Sequence, residues 1–230
     1  MTKRLYDIFF AAVGLLLLSP LFLLLAAAVK GSDGGPVLFR QRRVGLRGRP
    51  FLIVKFRTMV PNAERLGAGI TKDGDPRVTA VGRFLRRSKL DELPQLWNVL
   101  VGDMSLVGPR PEVPRYVEKY TEDQRRVLNL KPGVTDLATL VYRDEEKCLA
   151  GAEDVEKHYL EQVMPRKIEL NLTYASRANV WEDTKIILRT FLAMAHWPGA
   201  VAARGGVLRA PPALAAAQAI PSHGDDHPGT

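Results

Sequence analysis

At 230 residues the chain can form one sizeable domain with an appendage. Its single cysteine, Cys148, excludes an internal disulfide framework and fits a reducing compartment. The net charge of +8 is uneven: residues 1–90 carry 17 Lys/Arg against 5 Asp/Glu, the remainder 16 against 20. A basic half joined to an apolar N-terminus points to a phosphate-rich membrane surface. Against nucleic acid, the chain has no zinc-finger spacing, and its basic stretches lack interleaved aromatics.

From Ile8 to Val29 run 22 residues without a charge, a straight helix of about 33 Å and enough to cross a bilayer core. A signal peptide is disfavoured, because its apolar region is normally only about 7–15 residues. Ser19-Pro20 lies near the middle of the run. Pro20 cannot donate to the Leu16 carbonyl and its ring clashes there, so the helix should kink; the Ser19 hydroxyl can reach a carbonyl one turn back. Each half, Ile8–Leu18 and Leu21–Val29, is then about 14–17 Å, half a bilayer, which predicts a re-entrant helix that returns to the same face. Lys3 and Arg4 before the run and Lys30, Arg40, Arg42, Arg43, Arg47 and Arg49 after it put both flanks on the cytoplasmic side. A spanning anchor is the alternative, and it leaves the following domain cytoplasmic too.

Val37–Gln41 and Phe51–Arg57 read as strands joined through a Gly45–Gly48 turn. Pro61–Pro76 reads as a loop with a short helix around Ala63–Leu66. A helix near Val81–Arg87 leads into Ser88-Lys89-Leu90-Asp91-Glu92-Leu93-Pro94-Gln95-Leu96-Trp97-Asn98-Val99-Leu100. There Leu93, Leu96, Trp97 and Leu100 form an apolar stripe that predicts a core-facing helix. Pro94 is tolerated only in a first turn, so this helix should begin near Asp91, with its free N–H groups keeping a carboxylate ionised. On this segment alone, a capping role for Asp91 or Ser88 is the plainer reading. Gly108-Pro109-Arg110-Pro111 reads as a rigid loop. Helices follow at Pro114–Tyr120 and Glu122–Leu130, then a Lys131-Pro132-Gly133 turn, a short strand at Leu137–Tyr142, and helices at Ala152–Leu170 and Val180–Ala195. From Trp197 the Gly, Ala and Pro content predicts a disordered tail. The expected organisation is a membrane helix over 1–30, a catalytic domain over 31–195 and a tail over 196–230.

No phosphate-loop or dinucleotide fingerprint occurs, and His158, His196, His223 and His227 have no metal-site company. What remains is acid with base: Asp91 and Glu92, with Lys55 and Arg57 on one strand face, Arg86 and Arg87 just upstream, and Arg110 between prolines. Together they suggest an anionic substrate gripped by guanidinium groups. A carboxylate attacking phosphorus must approach an anion and needs cations or a metal to screen the repulsion; carboxylate and phosphate oxygens suit Mg²⁺.

In these motifs the chain resembles the bacterial sugar transferases known as monotopic phosphoglycosyl transferases. The resemblance rests on Ser19-Pro20, Lys55-Phe56-Arg57-Thr58-Met59, the run from Leu85 to Leu96, Asn98-Val99-Leu100, the run from Gly102 to Pro111, and Lys131-Pro132-Gly133-Val134-Thr135, in order over roughly residues 3–192. It implies transfer of a sugar 1-phosphate from a UDP-sugar to polyprenyl phosphate, with release of UMP. It also implies Asp91 as nucleophile, Glu92 assisting a metal or a proton transfer, and Lys55, Arg86, Arg110 and Arg143 at phosphate or nucleotide. It gives Ser19-Pro20 as the re-entrant break and the cytoplasmic membrane face as the location. Two positions depart from the family pattern: Asp136, where glycine is usual, followed by Leu137-Ala138-Thr139-Leu140; and Asn171, where some relatives have an acidic residue. The expected fold is a mostly helical α/β domain with a short β-hairpin and interfacial amphipathic helices. The rival class is a non-enzymatic membrane-tethered module that binds nucleic acid or lipid through the basic half.

Overall fold

Pro20 sets the first feature of the chain. It leaves the Leu16 carbonyl without a helical donor, and the Ser19 hydroxyl donates to that oxygen at 2.7 Å. The path bends by 62° between α1 (Thr2–Leu17) and α2 (Ser19–Asp33). The computed structural model describes residues 2–63, 74–142 and 154–195, and among these no single helix is long and apolar enough to cross a membrane. The bent pair meets that test only when its halves are taken together.

After α2 the chain forms an antiparallel hairpin of β1 (Leu38–Val44) and β2 (Pro50–Phe56), with Leu38 opposite Phe56 and Val44 opposite Pro50. Arg47 and Gly48 take left-handed conformations in its turn. Helix α3 (Ala80–Ser88) is capped by Thr79, whose hydroxyl accepts from the Gly82 N–H at 2.9 Å. A Cβ on Gly82 would stand 1.9 Å from the Thr58 carbonyl, so only glycine lets α3 approach the segment after β2 this closely.

At Lys89 the backbone turns left-handed (φ 57°) and ends α3. A 3-10 turn over Leu90–Glu92 follows, and α4 runs from Gln95 to Val101. The expected helix start at Asp91 is therefore corrected: the carboxylates lie on a separate turn before α4, because the left-handed Lys89 redirects the chain and Pro94 delays the α-helical bonding. The stripe also shifts. Leu96 and Leu100 pack on the core, but Trp97 is 54% exposed, and the fully covered face is Gln95, Asn98 and Val99.

Strand β3 (Ser105–Val107) pairs in parallel with β4 (Gly133–Thr135). Between them lie α5 (Pro114–Val117), α6 (Glu122–Arg125) with a capping box of Thr121 and Gln124, and a 3-10 turn over Arg126–Asn129. Gly133 is thus in a strand and not a turn. Leu137–Val141 is a helix, α7, where a strand was expected, because the Asp136 side chain accepts from the Thr139 N–H and caps its start. Helix α8 (Val155–His158), a π turn over Tyr159–Val163 and α9 (Met164–Ala175) realise the expected long helix, which extends beyond Leu170. Helix α10 spans Val180–Ala195 as predicted. Cys148, most of the Ala63–Leu66 segment and the tail lie outside the described residues.

The result is mostly helical with a small sheet. Ala11, Ile53, Val99, Met104, Val107, Tyr174 and Ile186 form one apolar cluster drawn from α1, β2, α4, β3, α9 and α10. Leu25, Val29, Phe56 and Leu85 form another that ties α2 to β2 and α3. The first turns of α1 add polar anchors. Arg4 donates to the Val99 and Leu100 carbonyls at 2.5 and 2.8 Å, the C-terminal end of α4, and buried Asp7 accepts from the Leu106 N–H at 3.1 Å. Lys3 pairs with Asp183 of α10 and donates to the Val107 carbonyl. At the other end of the pair, Asp33 is bridged by Arg57 through both carboxylate oxygens.

Asn98 closes the free edge of β2. Its amide oxygen accepts from the Val54 N–H at 3.0 Å and its amide nitrogen donates to the Leu52 carbonyl at 2.8 Å, so one side chain stands in for a third strand. Asn98→Ala should strip both partners and lower stability by about 2–4 kcal/mol, read as a fall in the urea midpoint without a change of slope. An unchanged midpoint would contradict this role.

Candidate active site

Three segments meet at Glu92. Lys55, next to last in β2, donates from Nζ to Glu92 Oε1 at 3.0 Å. Arg110, in the Gly108–Pro111 loop after β3, donates from Nη2 to Oε1 at 2.5 Å and from Nη1 to Oε2 at 3.1 Å, a two-pronged grip. Burial would raise the Glu92 carboxyl, but Arg110 and Lys55 outweigh it and hold the group well below the usual carboxylate range. Burial also pushes the Lys55 ammonium down to about 8, against the pull of Glu92.

Asp91 is buried as well but has no such clamp. It is 8% exposed, and its Oδ1 is buried with no hydrogen-bond partner. Burial first and the charge of Glu92 second push it up to about 6, while Lys55, Lys89 and Arg110 oppose the rise. The expectation that helix N–H groups keep this carboxylate ionised is therefore overturned: α4 begins four residues later, and no donor reaches Oδ1. Neighbouring residues on a 3-10 turn point about 120° apart. One carboxylate is thus clamped by cations, and the other has an oxygen left without a hydrogen-bond partner.

Of the expected cationic residues, Lys55 and Arg110 come together here. Arg86 donates through Nε to Thr58 Oγ1 at 2.9 Å. Arg57 turns to Asp33 and to the Pro36 and Met59 carbonyls; it ties the end of α2 to the hairpin and is not brought to Glu92. Arg143 lies outside the described residues. Sequence reasoning missed two others. Arg43, mostly buried, donates to the Pro111 carbonyl at 3.1 Å and steadies the Arg110 loop. The inward phase of the β1 alternation, Phe39, Gln41 and Arg43, could have marked it. Lys89 acts on both carboxylates, and a non-glycine residue held left-handed beside them stores about 1–3 kcal/mol of strain.

The Asp91 shift has a stability consequence. Its folded pKa near 6 lies above the unfolded value of about 3.9, so the native state holds the extra proton between the two. Stability is therefore lost as pH rises through that window, and the full cost is present above it. Asp91→Asn removes the charge and should stabilise the protein by about 1–3 kcal/mol at pH 7.5, the gain shrinking as pH falls from 6 to 4. Thermal melts across that range check it; a variant less stable than the native protein at pH 7.5 would contradict it.

The comparison with known proteins joins this geometry to a family. The family described as bacterial sugar transferase matches residues 1–197. The chain is 41% identical over 191 residues to a UDP-glucose:undecaprenyl-phosphate glucose-1-phosphate transferase of Caulobacter vibrioides, covering 82% of this chain and 67% of that protein. It is 39% identical over 193 residues to a UDP-N-acetylgalactosamine-undecaprenyl-phosphate N-acetylgalactosaminephosphotransferase of Aeromonas hydrophila, covering 82% of this chain but 42% of the relative. Identity to the exopolysaccharide production protein ExoY of Rhizobium meliloti is 44% over 160 residues, covering 63% of this chain and 71% of that one. The matched segment takes in α1, the hairpin, the Asp91-Glu92 turn and the Arg110 loop, and the chain belongs to the bacterial sugar transferase family.

Proposed function

We propose that the chain transfers a sugar 1-phosphate from a UDP-sugar to polyprenyl (undecaprenyl) phosphate, releasing UMP, at the cytoplasmic face of the bacterial inner membrane. This would be the first membrane step in assembling a glycoconjugate such as an exopolysaccharide. The observation that carries the reading is Asp91: a buried carboxylate oxygen without a partner, beside a carboxylate clamped by two cations. Asp91 Oδ attacks the phosphorus that bears the sugar, and the bond from that phosphorus to the bridging oxygen breaks, so UMP leaves with the electron pair. An oxygen of polyprenyl phosphate then attacks the same phosphorus and Asp91 departs as a free carboxylate. Lys55 and Arg110 keep the neighbourhood positive, offsetting the repulsion between Asp91 and the diphosphate.

Mg²⁺ fits the residues present. Among the described residues no group of three or more His, Cys, Asp or Glu side chains could hold a metal ion. The open acceptor is Asp91 Oδ1, which would hold the ion together with phosphate oxygens and water, the usual Mg²⁺ arrangement; both oxygens of Glu92, the other expected metal residue, already accept from Lys55 and Arg110, so Glu92 would join only by giving up one of those bonds. When bound, the ion would neutralise charge on the diphosphate.

For the membrane, we read α1 and α2 as one re-entrant helix broken at Ser19-Pro20. Lys3, Arg4 and Asp7 at one end and Asp33 at the other all bond to the same body, which favours both ends on one face. The apolar surface on either side of the break is exposed, Leu16 and Leu23 each being 74% exposed. On α10, Trp181, Leu188, Phe191 and Leu192 form a second exposed apolar face, suited to lying in the lipid interface.

Two experiments test this. Purified protein incubated with UDP-sugars and polyprenyl phosphate should release UMP with at least one donor. That release should stop in excess chelator, return with Mg²⁺, and fall on the order of 10³-fold or more in Asp91→Asn. No release from any donor would favour a binding module, and near-native turnover in Asp91→Asn would remove Asp91 from the mechanism. For topology, Thr2→Cys in a Cys148→Ser background should resist an impermeant thiol reagent in intact cells and become labelled when Ser19 and Pro20 are both changed to Leu. Labelling from outside of the Thr2→Cys protein that keeps Ser19 and Pro20 would mean that the helix spans.

A further inference from the structure

Arg110 grips Glu92 with its side chain, so the register of its own backbone decides where that grip falls. The loop that carries it has few bonds of its own, since the residues on both sides are prolines. Its backbone N–H donates to Asp136 Oδ2 at 3.1 Å. Asp136 is 1% exposed and sits just after β4, 26 residues away along the chain. The same Oδ2 accepts from Asn171 Nδ2 of α9 at 3.0 Å, and Oδ1 accepts from the Thr139 N–H at the start of α7. One carboxylate thus ties the Arg110 loop, α7 and α9 together, with three N–H donors fixing the orientation of both oxygens.

The backbone beneath this junction leaves no slack. Gly108 N donates to the Thr135 carbonyl at 3.0 Å and Gly133 N to the Pro109 carbonyl at 3.0 Å. A Cβ on Gly133 would lie 2.1 Å from Gly108 N, and one on Gly108 would lie 2.2 Å from the Lys131 carbonyl. The two segments cross at contact distance, so a change in hydrogen bonding at Asp136 passes to Arg110 rather than being absorbed between them.

We infer that Asp136 is a positioning residue for the transfer reaction: with Asn171 it sets the Arg110 backbone, and through the Arg110 guanidinium it sets Glu92. The inference rests on the transfer reading above. It assigns Asp136 no contact with substrate, and gives Asn171 the task of keeping the Asp136 carboxylate from rotating away from the loop.

Asp136→Asn probes this with little change of shape. Asn remains a good helix cap, so its oxygen stays on the Thr139 N–H, and its amide group then faces the Arg110 N–H, donor against donor, whereas the Asn171 amide can turn its unpartnered oxygen toward it. Turnover in the UMP-release assay should fall about 10-fold or more in the native background. In an Arg110→Ala background, followed by single-turnover radiolabel release, the same substitution should cost less than about 2-fold, because its route to Glu92 is gone. Hydrogen exchange at the Arg110 amide should accelerate in Asp136→Asn. Should Asp136→Asn fail to fold, Asn171→Ala carries the same cycle, with a smaller loss that again disappears beside Arg110→Ala. Equal fold-losses in both backgrounds, or no loss in the native one, would overturn the positioning role. The transfer reading is judged separately, by whether the unmodified protein releases UMP at all.

Discussion

The site depends on an asymmetry between two adjacent carboxylates. Glu92 receives a lysine and a bidentate arginine, and its charge is held firmly; Asp91, one residue away, is buried with one oxygen that has no hydrogen-bond partner. Local helix geometry alone does not produce this difference. It arises because Lys55 and Arg110 arrive from other parts of the chain on the Glu92 side, while the 3-10 turn aims Asp91 elsewhere. The charge of Glu92 is itself one reason the neighbouring Asp91 resists ionisation. Such a carboxylate is costly to the folded state, a cost that structural roles seldom justify and chemical ones often do.

The rest of the fold serves that arrangement. The hairpin delivers Lys55, and Asn98 on α4 fixes the hairpin by occupying its free edge. The parallel β3–β4 pair delivers the Arg110 loop, which Arg43 and Asp136 hold by its backbone from two sides. Helix α1 is not an appendage to this body: Ala11 is fully buried in the core shared by α4 and β3, and Arg4 closes the end of the helix that follows the carboxylates. The proposed membrane helix pair and the candidate site therefore share a framework. That suits a reaction whose acceptor is a lipid.

Local signals were legible in the sequence. The Ser19-Pro20 break, the hairpin and α10 all follow from proline chemistry, strand composition and helical periodicity. So was the meeting of the Asp91-Glu92 pair with Lys55 and Arg110, which adjacent acids set among bases suggested. What was not legible was either a local choice masked by a competing pattern or a contact between distant residues. Nothing in the strand-like run Leu137–Tyr142 says that Asp136 will cap a helix there, and nothing near Arg57 says that its partner is Asp33. The left-handed Lys89 was invisible too, since lysine has no preference for that conformation, and it moved the helix start from Asp91 to Gln95. That displacement reversed the expected electrostatics of Asp91.

The central claim is that Asp91 becomes covalently attached to the phosphosugar. Purified protein should be mixed with UDP-sugar and Mg²⁺ without lipid acceptor, quenched, digested and analysed by mass spectrometry. A peptide containing Asp91 should appear heavier by one sugar phosphate, formed with one equivalent of UMP and discharged when polyprenyl phosphate is added. An unmodified Asp91 peptide, with UMP released only when donor and acceptor are both present, would contradict it.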